Sequence, residues 1–528
     1  MSNYTRKTLY EAVRDAATQY PNTMAYSFMG KRTTYRQMLD RIHAAAGKLW
    51  HLGIRKGDRV TLCMPNAPQA VDCFYGLNYL GAVANVIHPL CAPEELRFYL
   101  ETSQSKAILV LDQFYEKVAE LKPAIPILVA HLRRELPRHK RLFYRDHKLP
   151  QGAFLYWDKL TGTAPAYTQQ DPQACACILY SGGTTGSPKG VCLSSVNFNA
   201  AAEQTLAASG YDSIAGMSML AVLPIFHGFG LGVGIHTPLI AGAGCILVPR
   251  FRLNTYIRLI RKEKPDFLPG VPALFDALVR SDRLGKTKLD FLKGIFCGGD
   301  SLPAELKTRV DAFLQQHGCT EQLREGYGMT ECVSVACLTP RFAAKYDTIG
   351  VPFPDTLFKI VTPGTTEAVP TGTPGEICIS GPSVMMGYLN DDAETATALQ
   401  THADGKLWLH TADMGSMDAD GYVRFLQRLK RMIVTNGYNV YPSRLEEVLM
   451  THPQVKACCV VGVADPQRGQ RIRACIVPVQ EACKELEESI LSHCRQRIAR
   501  YSMPKELVFL KALPMTHLNK VDYKKLEE

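Results

Sequence analysis

The residues best suited to chemistry lie in one run, Tyr180-Ser181-Gly182-Gly183-Thr184-Thr185-Gly186-Ser187-Pro188-Lys189-Gly190. Its glycines let backbone N–H groups approach an anion closely, the hydroxyls of Ser181, Thr184 and Thr185 add donors, and Lys189 adds a point charge. Such a loop, fed by the apolar stretch Cys175 to Leu179, suits the β- and γ-phosphates of ATP. It is not the GxxxxGK[ST] loop, because Gly190 follows Lys189 where that motif needs a hydroxyl for Mg²⁺. A second run, Gly326-Tyr327-Gly328-Met329-Thr330-Glu331, places an aromatic face, a hydroxyl and a carboxylate among glycines.

Alternating elements must position these runs. Helical spacing marks Leu9 to Gln19, Thr34 to His51 (with Gly53 as a stop signal), Ala67 to Leu80 and Pro93 to Thr102. Strand-like segments fall at Arg59 to Cys63, Ala82 to Ile87 and Ala107 to Leu111, which together predict parallel βαβ units. After Asp413 the composition shifts. The last stretch reads helix at Arg444 to Met450, strands at Ala457 to Val463 and Ile472 to Val479, helix at Cys483 to Ala499 and strand at Glu506 to Leu510, a small α+β domain by size. The boundary is set at Arg428 to Lys430, giving domains 1–427 and 428–528.

Hydrophobic residues are 46% and charged residues 21% of 528, an ordinary globular balance that argues against long disorder. The net charge of +10 suits anionic ligands without naming one. No stretch is long and apolar enough to span a bilayer, and the apolar run Gly228 to Val248, interrupted by glycines, His236 and Pro238, reads as buried core beside a site. Seventeen scattered cysteines without a Cys-x-x-Cys pair point to a reducing compartment, hence the cytoplasm, and away from zinc. The segment His131 to Lys148 carries seven Lys or Arg residues. It reads as a solvated helix and loop, with contact to anionic lipid or a partner as the sharper alternative.

The phosphate loop and the motifs after it closely resemble the adenylate-forming superfamily, which includes acyl- and aryl-CoA synthetases, peptide-synthetase adenylation domains and luciferases. The resemblance covers nearly the whole chain. It implies an α/β fold: a large N-terminal domain of stacked α/β sheets plus a small barrel, and a mobile small α+β C-terminal domain turning about Lys430. It implies ATP, Mg²⁺ and coenzyme A as ligands, a small carboxylic acid as substrate, no nucleic acid, and a monomer or homodimer with at most peripheral membrane contact.

Residue roles follow from the same resemblance. Tyr327 would stack on adenine, with Gly298, Gly299 and Asp300 of the Cys297 to Pro303 turn beside the base; Ser301 could also cap a helix near Pro303. Thr330 would contact the phosphates, Gly326 and Gly328 would belong to the same nucleotide site, and Glu331, with Thr185, would hold Mg²⁺, a metal for which one carboxylate plus substrate phosphates suffices. In His410-Thr411-Ala412-Asp413, Ala412 stands where the family has Gly, and Asp413 would bind both ribose hydroxyls. Arg428 would contact ribose and Lys430 would be the pivot; Asn436 and Gly437 would face coenzyme A; Lys520, in Pro514 to Lys520, would be the adenylation lysine.

Leu223 to Gly230 resembles the segment flanking the acyl pocket of fatty and aromatic acyl-CoA synthetases. It lacks the Asp that pairs with an α-ammonium in amino-acid-activating relatives. His227 is a candidate gate, and glycines at 228, 230, 232 and 234 suggest room for an acyl chain. The reading is therefore an AMP-forming acyl-CoA synthetase for a medium- or long-chain fatty acid. The alternatives are transfer to a separate carrier protein and a non-catalytic nucleotide binder.

Overall fold

The computed structural model describes residues 6–149, 152–181, 188–345, 347–435, 438–440, 442–465, 469–495, 497–498, 502–515 and 521–527. It divides into two compact units, Met1–Phe358 with Ile379–Leu409, and Lys359–Cys378 with His410–Glu528.

The larger unit holds two sheets with helices against them. One has nine strands in the order Val351–Pro352, Cys337–Leu338, Leu323–Tyr327, Gly294–Cys297, Phe267–Gly270, Ser218–Ala221, Gly244–Leu247, Met24–Phe28, Lys31–Thr34. The other has eight: Gly387–Tyr388, Lys189–Ser194, Cys175–Ser181, Val83–Val86, Arg59–Cys63, Ala107–Leu111, Ile127–Ala130, Leu155–Tyr156. Their central strands run parallel, as the βαβ alternation predicts, and are buried nearly throughout.

Local sequence fixes the helix starts. Thr8 and Glu11, Thr34 and Gln37, and Ser194 and Asn197 form reciprocal capping boxes, and Pro68 and Pro93 sit at first-turn positions where the missing N–H costs nothing. The helix Leu9–Gln19 matches its expected span, and Tyr35–His51 begins one residue inside its predicted start because Thr34 is the cap. Ser301 does not cap: the helix Ala304–Gln316 starts after Pro303 without a side-chain cap, so that part of the reading is corrected.

In the second unit, Val455–Asp465 and Gly469–Pro478 form a long antiparallel pair, joined by Ile433–Thr435, Tyr438–Val440 and Glu506–Phe509. The helices Pro442–Met450 and Lys484–Arg495 bury Leu445, Leu449 and Ile490 against Ile433, Ile472 and Ile476. The mixed α/β architecture with a large and a smaller part is as expected from sequence.

Candidate active site

The phosphate loop hangs from a β-hairpin. Cys175–Ser181 and Lys189–Ser194 pair antiparallel, and Ser181 is the register partner of Lys189, so the two ends of the loop are held together. Gly182, Gly183, Thr184 and Thr185 lie outside the described residues. Lys189 forms an ion pair with Glu394, and its ammonium lies 5.1 Å from the ring centre of Tyr388. Tyr388 is itself paired to Val191 on the strand leaving the loop.

Tyr388 links the loop to the second motif. Its hydroxyl donates to Oε1 of Glu331 at 3.0 Å. Burial, reinforced by the Glu331 charge, pushes the phenol well above its ordinary pKa, so it stays a donor. Glu331 is buried in a short turn, Thr330–Cys332, and its carbonyl accepts from the N–H of Met385 at 2.8 Å. The segment from Gly375 through Gly381 to Tyr388 resembles acyl-CoA synthetases in sequence, but that resemblance gives Tyr388 and Glu394 no role: both lie far along the chain from Lys189 and Glu331, and pairing of Gly387–Tyr388 with the loop strand brings them in.

The turn carrying Glu331 is closed by an unusual residue. Val333 has φ 65° and ψ −55°, and the N–H of Ser334 donates to the carbonyl of Cys332 at 2.7 Å. This is a γ-turn with positive φ at a β-branched residue, a conformation costing on the order of 1–3 kcal/mol. Packing holds it. A Cβ on Gly228 would lie 1.5 Å from the Val333 carbonyl oxygen, and one on Gly232 would lie 3.0 Å from a Val333 methyl carbon.

Those two glycines belong to or adjoin a π-helix, Phe229–His236. The N–H of Thr237 reaches back to the carbonyl of Gly232, and its hydroxyl bonds the same oxygen at 2.9 Å. The expectation that the glycines leave space for an acyl chain is corrected here. Gly228 is filled by Val333, and a Cβ on Gly230 would lie 2.0 Å from the Pro224 carbonyl oxygen, so both serve close backbone packing. The open volume lies on the other stripe of the helix, where Phe229, Val233 and Thr237 line a narrow cavity of about 40 Å³ with Phe296, Val335 and Gly326. Its walls are almost wholly apolar. His227 is exposed, its ring lies tilted at 57° and 4.8 Å from that of Phe226, and it is not among the cavity's lining residues. His236 is fully buried between Tyr75 and Asn199; burial lowers its pKa to about 3, so it is a neutral structural residue.

Gly326 joins the cavity to the nucleotide motifs. The strands Gly294–Cys297 and Leu323–Tyr327 are parallel neighbours, and both motifs follow their carboxyl ends, the usual ligand side of such sheets. A Cβ on Gly298 would lie 2.9 Å from the Gly326 carbonyl oxygen, so the two turns touch; Gly299 has φ 81°, and Gly328 packs under the Ser334 carbonyl. Asp300 is exposed and bonds the N–H of Ser301. Tyr327 is half-buried, edge-on to Phe358 at 6.3 Å. Thr330 accepts through its carbonyl from Val333. On the same strand, burial pushes the carboxyl of Glu325 up to about 7, and the buried Arg324 guanidinium clamps the carbonyls of Ala208, Ser209 and Thr339 at 2.7–2.9 Å. Burial lowers Arg324 to about 10.

In the second unit, Asp413 and Arg428 are register partners on adjacent strands, and Nε of Arg428 lies 3.0 Å from Oδ1 of Asp413. Asp413 is almost fully buried. Ala412 before it adopts φ 56°, the conformation for which Gly is the usual choice, and its N–H donates to Glu376 at 3.0 Å. The two ribose candidates are thus brought together. Lys430 lies in the turn Leu429–Arg431. Asn436, Gly437 and Lys520 lie outside the described residues.

Family comparison identifies the class: the AMP-binding enzyme model matches residues 13–389 and the AMP-binding enzyme C-terminal domain matches residues 444–520, and the chain belongs to this family. It is 33% identical over 541 residues to a long-chain-fatty-acid–CoA ligase of Bacillus subtilis, covering 99% of this chain and 94% of that one. It is 31% identical to a probable 4-coumarate–CoA ligase 3 of Dictyostelium discoideum, covering 93% and 89% of the two chains. Among solved structures, a Mycobacterium tuberculosis fatty acyl CoA synthetase superposes with TM-score 0.76 at 25% identity, covering 99% and 98% of the two chains. The anthranilate CoA ligase AuaEII in complex with anthranoyl-AMP superposes with TM-score 0.82 at 22% identity, covering 99% and 97%. Among the described residues no helix is long and apolar enough to cross a membrane.

Proposed function

We propose that this protein is an ATP-dependent acyl-CoA synthetase that activates a medium- or long-chain fatty acid. The enzyme class is an acid–thiol ligase. One observation carries the substrate reading: the cavity that shares Gly326 with the proposed nucleotide motif is walled almost wholly by apolar atoms and, among the described residues, by no carboxylate, so it offers an alkyl chain a dry wall and an α-ammonium no partner. The names of the relatives in Bacillus and Mycobacterium support the same choice.

In this reading a carboxylate oxygen attacks the α-phosphorus of ATP, pyrophosphate leaves, and the thiol of coenzyme A then displaces AMP from the acyl carbon. Ser181, Gly182, Gly183, Thr184, Thr185 and Lys189 hold the phosphates; Tyr327, Gly298 and Gly299 hold adenine; Asp413 and Arg428 hold ribose. The Glu331 carboxylate is a hard oxygen donor already oriented by Tyr388, which fits Mg²⁺, and Glu331 with Thr185 would hold it. When bound, that ion neutralises triphosphate charge. Lys520 supplies positive charge to the first step, and the part of the chain from 428 onward reorients about Lys430 for the second, bringing Asn436 and Gly437 to coenzyme A. The seventeen unpatterned cysteines suit the cytoplasm.

Acids of graded chain length, assayed for AMP release with and without coenzyme A, test the proposal. Long-chain acids should give a thioester. Lys520→Ala should lose carboxylate-dependent pyrophosphate exchange while still binding ATP, and Val233→Phe should move the optimum to shorter acids. A thioester formed only on a carrier protein, or exchange undiminished in Lys520→Ala, would overturn it.

A further inference from the structure

The basic segment between His131 and Lys148 is not an ordinary solvated face. At its centre Leu142 and Phe143 are 79% and 88% exposed, directly after the short helix Arg138–Arg141, which buries no residue. Seven Lys or Arg residues surround them against two carboxylates, and Glu135 is buried under Arg41 and Lys31. A charge run kept for solubility has no use for an adjacent Leu–Phe pair held in water.

The exposure is built rather than loose. Arg141 donates to the carbonyls of Leu136 and Arg134 at 2.9 and 2.8 Å, and Arg133 donates to the carbonyl of Arg141 at 3.1 Å. These bonds fold the segment back on itself and leave Leu142 and Phe143 at its tip. Lys140 then ties it to the turn between Met24–Phe28 and Lys31–Thr34 by donating to the Met29 carbonyl at 2.6 Å. Met29 is itself 40% exposed, and Arg32 beside it is largely exposed. Two chain segments therefore meet, each carrying exposed apolar residues in a stretch rich in cations.

We propose that this surface docks on an anionic lipid bilayer, with Leu142 and Phe143 entering the interface and Arg138, Lys140, Arg145 and Lys148 facing the headgroups. Charge complementarity favours a negatively charged membrane, and the apolar tips favour a surface with an acyl boundary to enter over an acidic protein. The inference stands on this surface alone and does not depend on which acid the enzyme activates.

The full chain should sediment with phosphatidylcholine vesicles containing one third phosphatidylglycerol, and about tenfold less with phosphatidylcholine alone. Leu142→Ser with Phe143→Ser should lower binding to the anionic vesicles about tenfold, and high salt should weaken the wild type. Both residues are exposed, so pyrophosphate exchange with a water-soluble acid should be unchanged and reports folding. In Phe143→Trp, emission should shift to the blue on adding anionic vesicles. The proposal is overturned by equal sedimentation of wild type and double variant, by the absence of a blue shift, or by capture of an acidic peptide with no preference for anionic lipid.

Discussion

The hydroxyl of Tyr388 donates to the carboxylate of Glu331 from a strand paired to the exit of the phosphate loop. One phenol thereby ties the proposed metal ligand to the element that carries Lys189. A hydrogen bond to a charged group is worth about 1.5–3 kcal/mol. Tyr388→Phe should therefore lower thermal stability and, by freeing the Glu331 carboxylate from its orientation, raise the Mg²⁺ concentration needed for pyrophosphate exchange about tenfold or more. A titration of Mg²⁺ at fixed ATP that superposes on the wild type would remove Tyr388 from this role.

Gly228 and Gly234 look alike in sequence and should behave differently. A methyl on Gly228 collides with the Val333 carbonyl, whereas one on Gly234 meets the Phe229 carbonyl at 3.6 Å, an ordinary contact. Gly228→Ala should destabilise by several kcal/mol, or about 3 at least, by forcing backbone apart, and Gly234→Ala should fall within about 1 kcal/mol of wild type. Denaturant unfolding of the two variants side by side checks this.

Ala412 occupies a left-handed conformation that costs an L-residue about 1–2 kcal/mol, while Gly loses about 0.5–1 kcal/mol more chain entropy on folding. The first exceeds the second, so Ala412→Gly should stabilise the second unit by about 0.5–1 kcal/mol. A thermal melt following that unit should rise slightly; a fall would mean that the methyl packs usefully.

Glu325 should make stability depend on pH. Its folded pKa, about 7, lies above the ordinary value of 4.5, so the native state holds the proton more tightly. That contribution is complete below about pH 4.5 and is lost as pH rises through 7. Glu325→Gln, which keeps the neutral shape, should match wild type near pH 4.5 and exceed it by about 1–3 kcal/mol at pH 8. Parallel stability curves across that range would contradict the assignment.

Short-range rules made much of this molecule readable from its sequence. Thr34 announces the helix after it, and the strands Arg59–Cys63 and Ala107–Leu111 are where the apolar runs place them. The boundaries at Ala457 to Val463 came out too short, because the strand Val455–Asp465 continues through polar residues held by its long antiparallel partner. The phosphate loop and the Glu331 turn carry their chemistry in consecutive residues. Tyr388, Glu394 and Arg324 do not: each acts through a group many residues away, and nothing local marks them. The glycines after His227 were misread for a related reason. A missing side chain signals either an opening or a close approach, and only the position of Val333 distinguishes them.

The winding of Phe229–His236 has a consequence for how this enzyme can change. Phe229, Val233 and Thr237 follow one another at a spacing of four, so they share one stripe along and just beyond that segment. Deleting a single residue between Phe229 and Val233 would break that spacing and turn Phe229 off the stripe that Val233 and Thr237 keep. If the cavity takes the acyl chain as proposed, one insertion or deletion should shift substrate range in a jump, where point substitutions along the same wall should move it gradually.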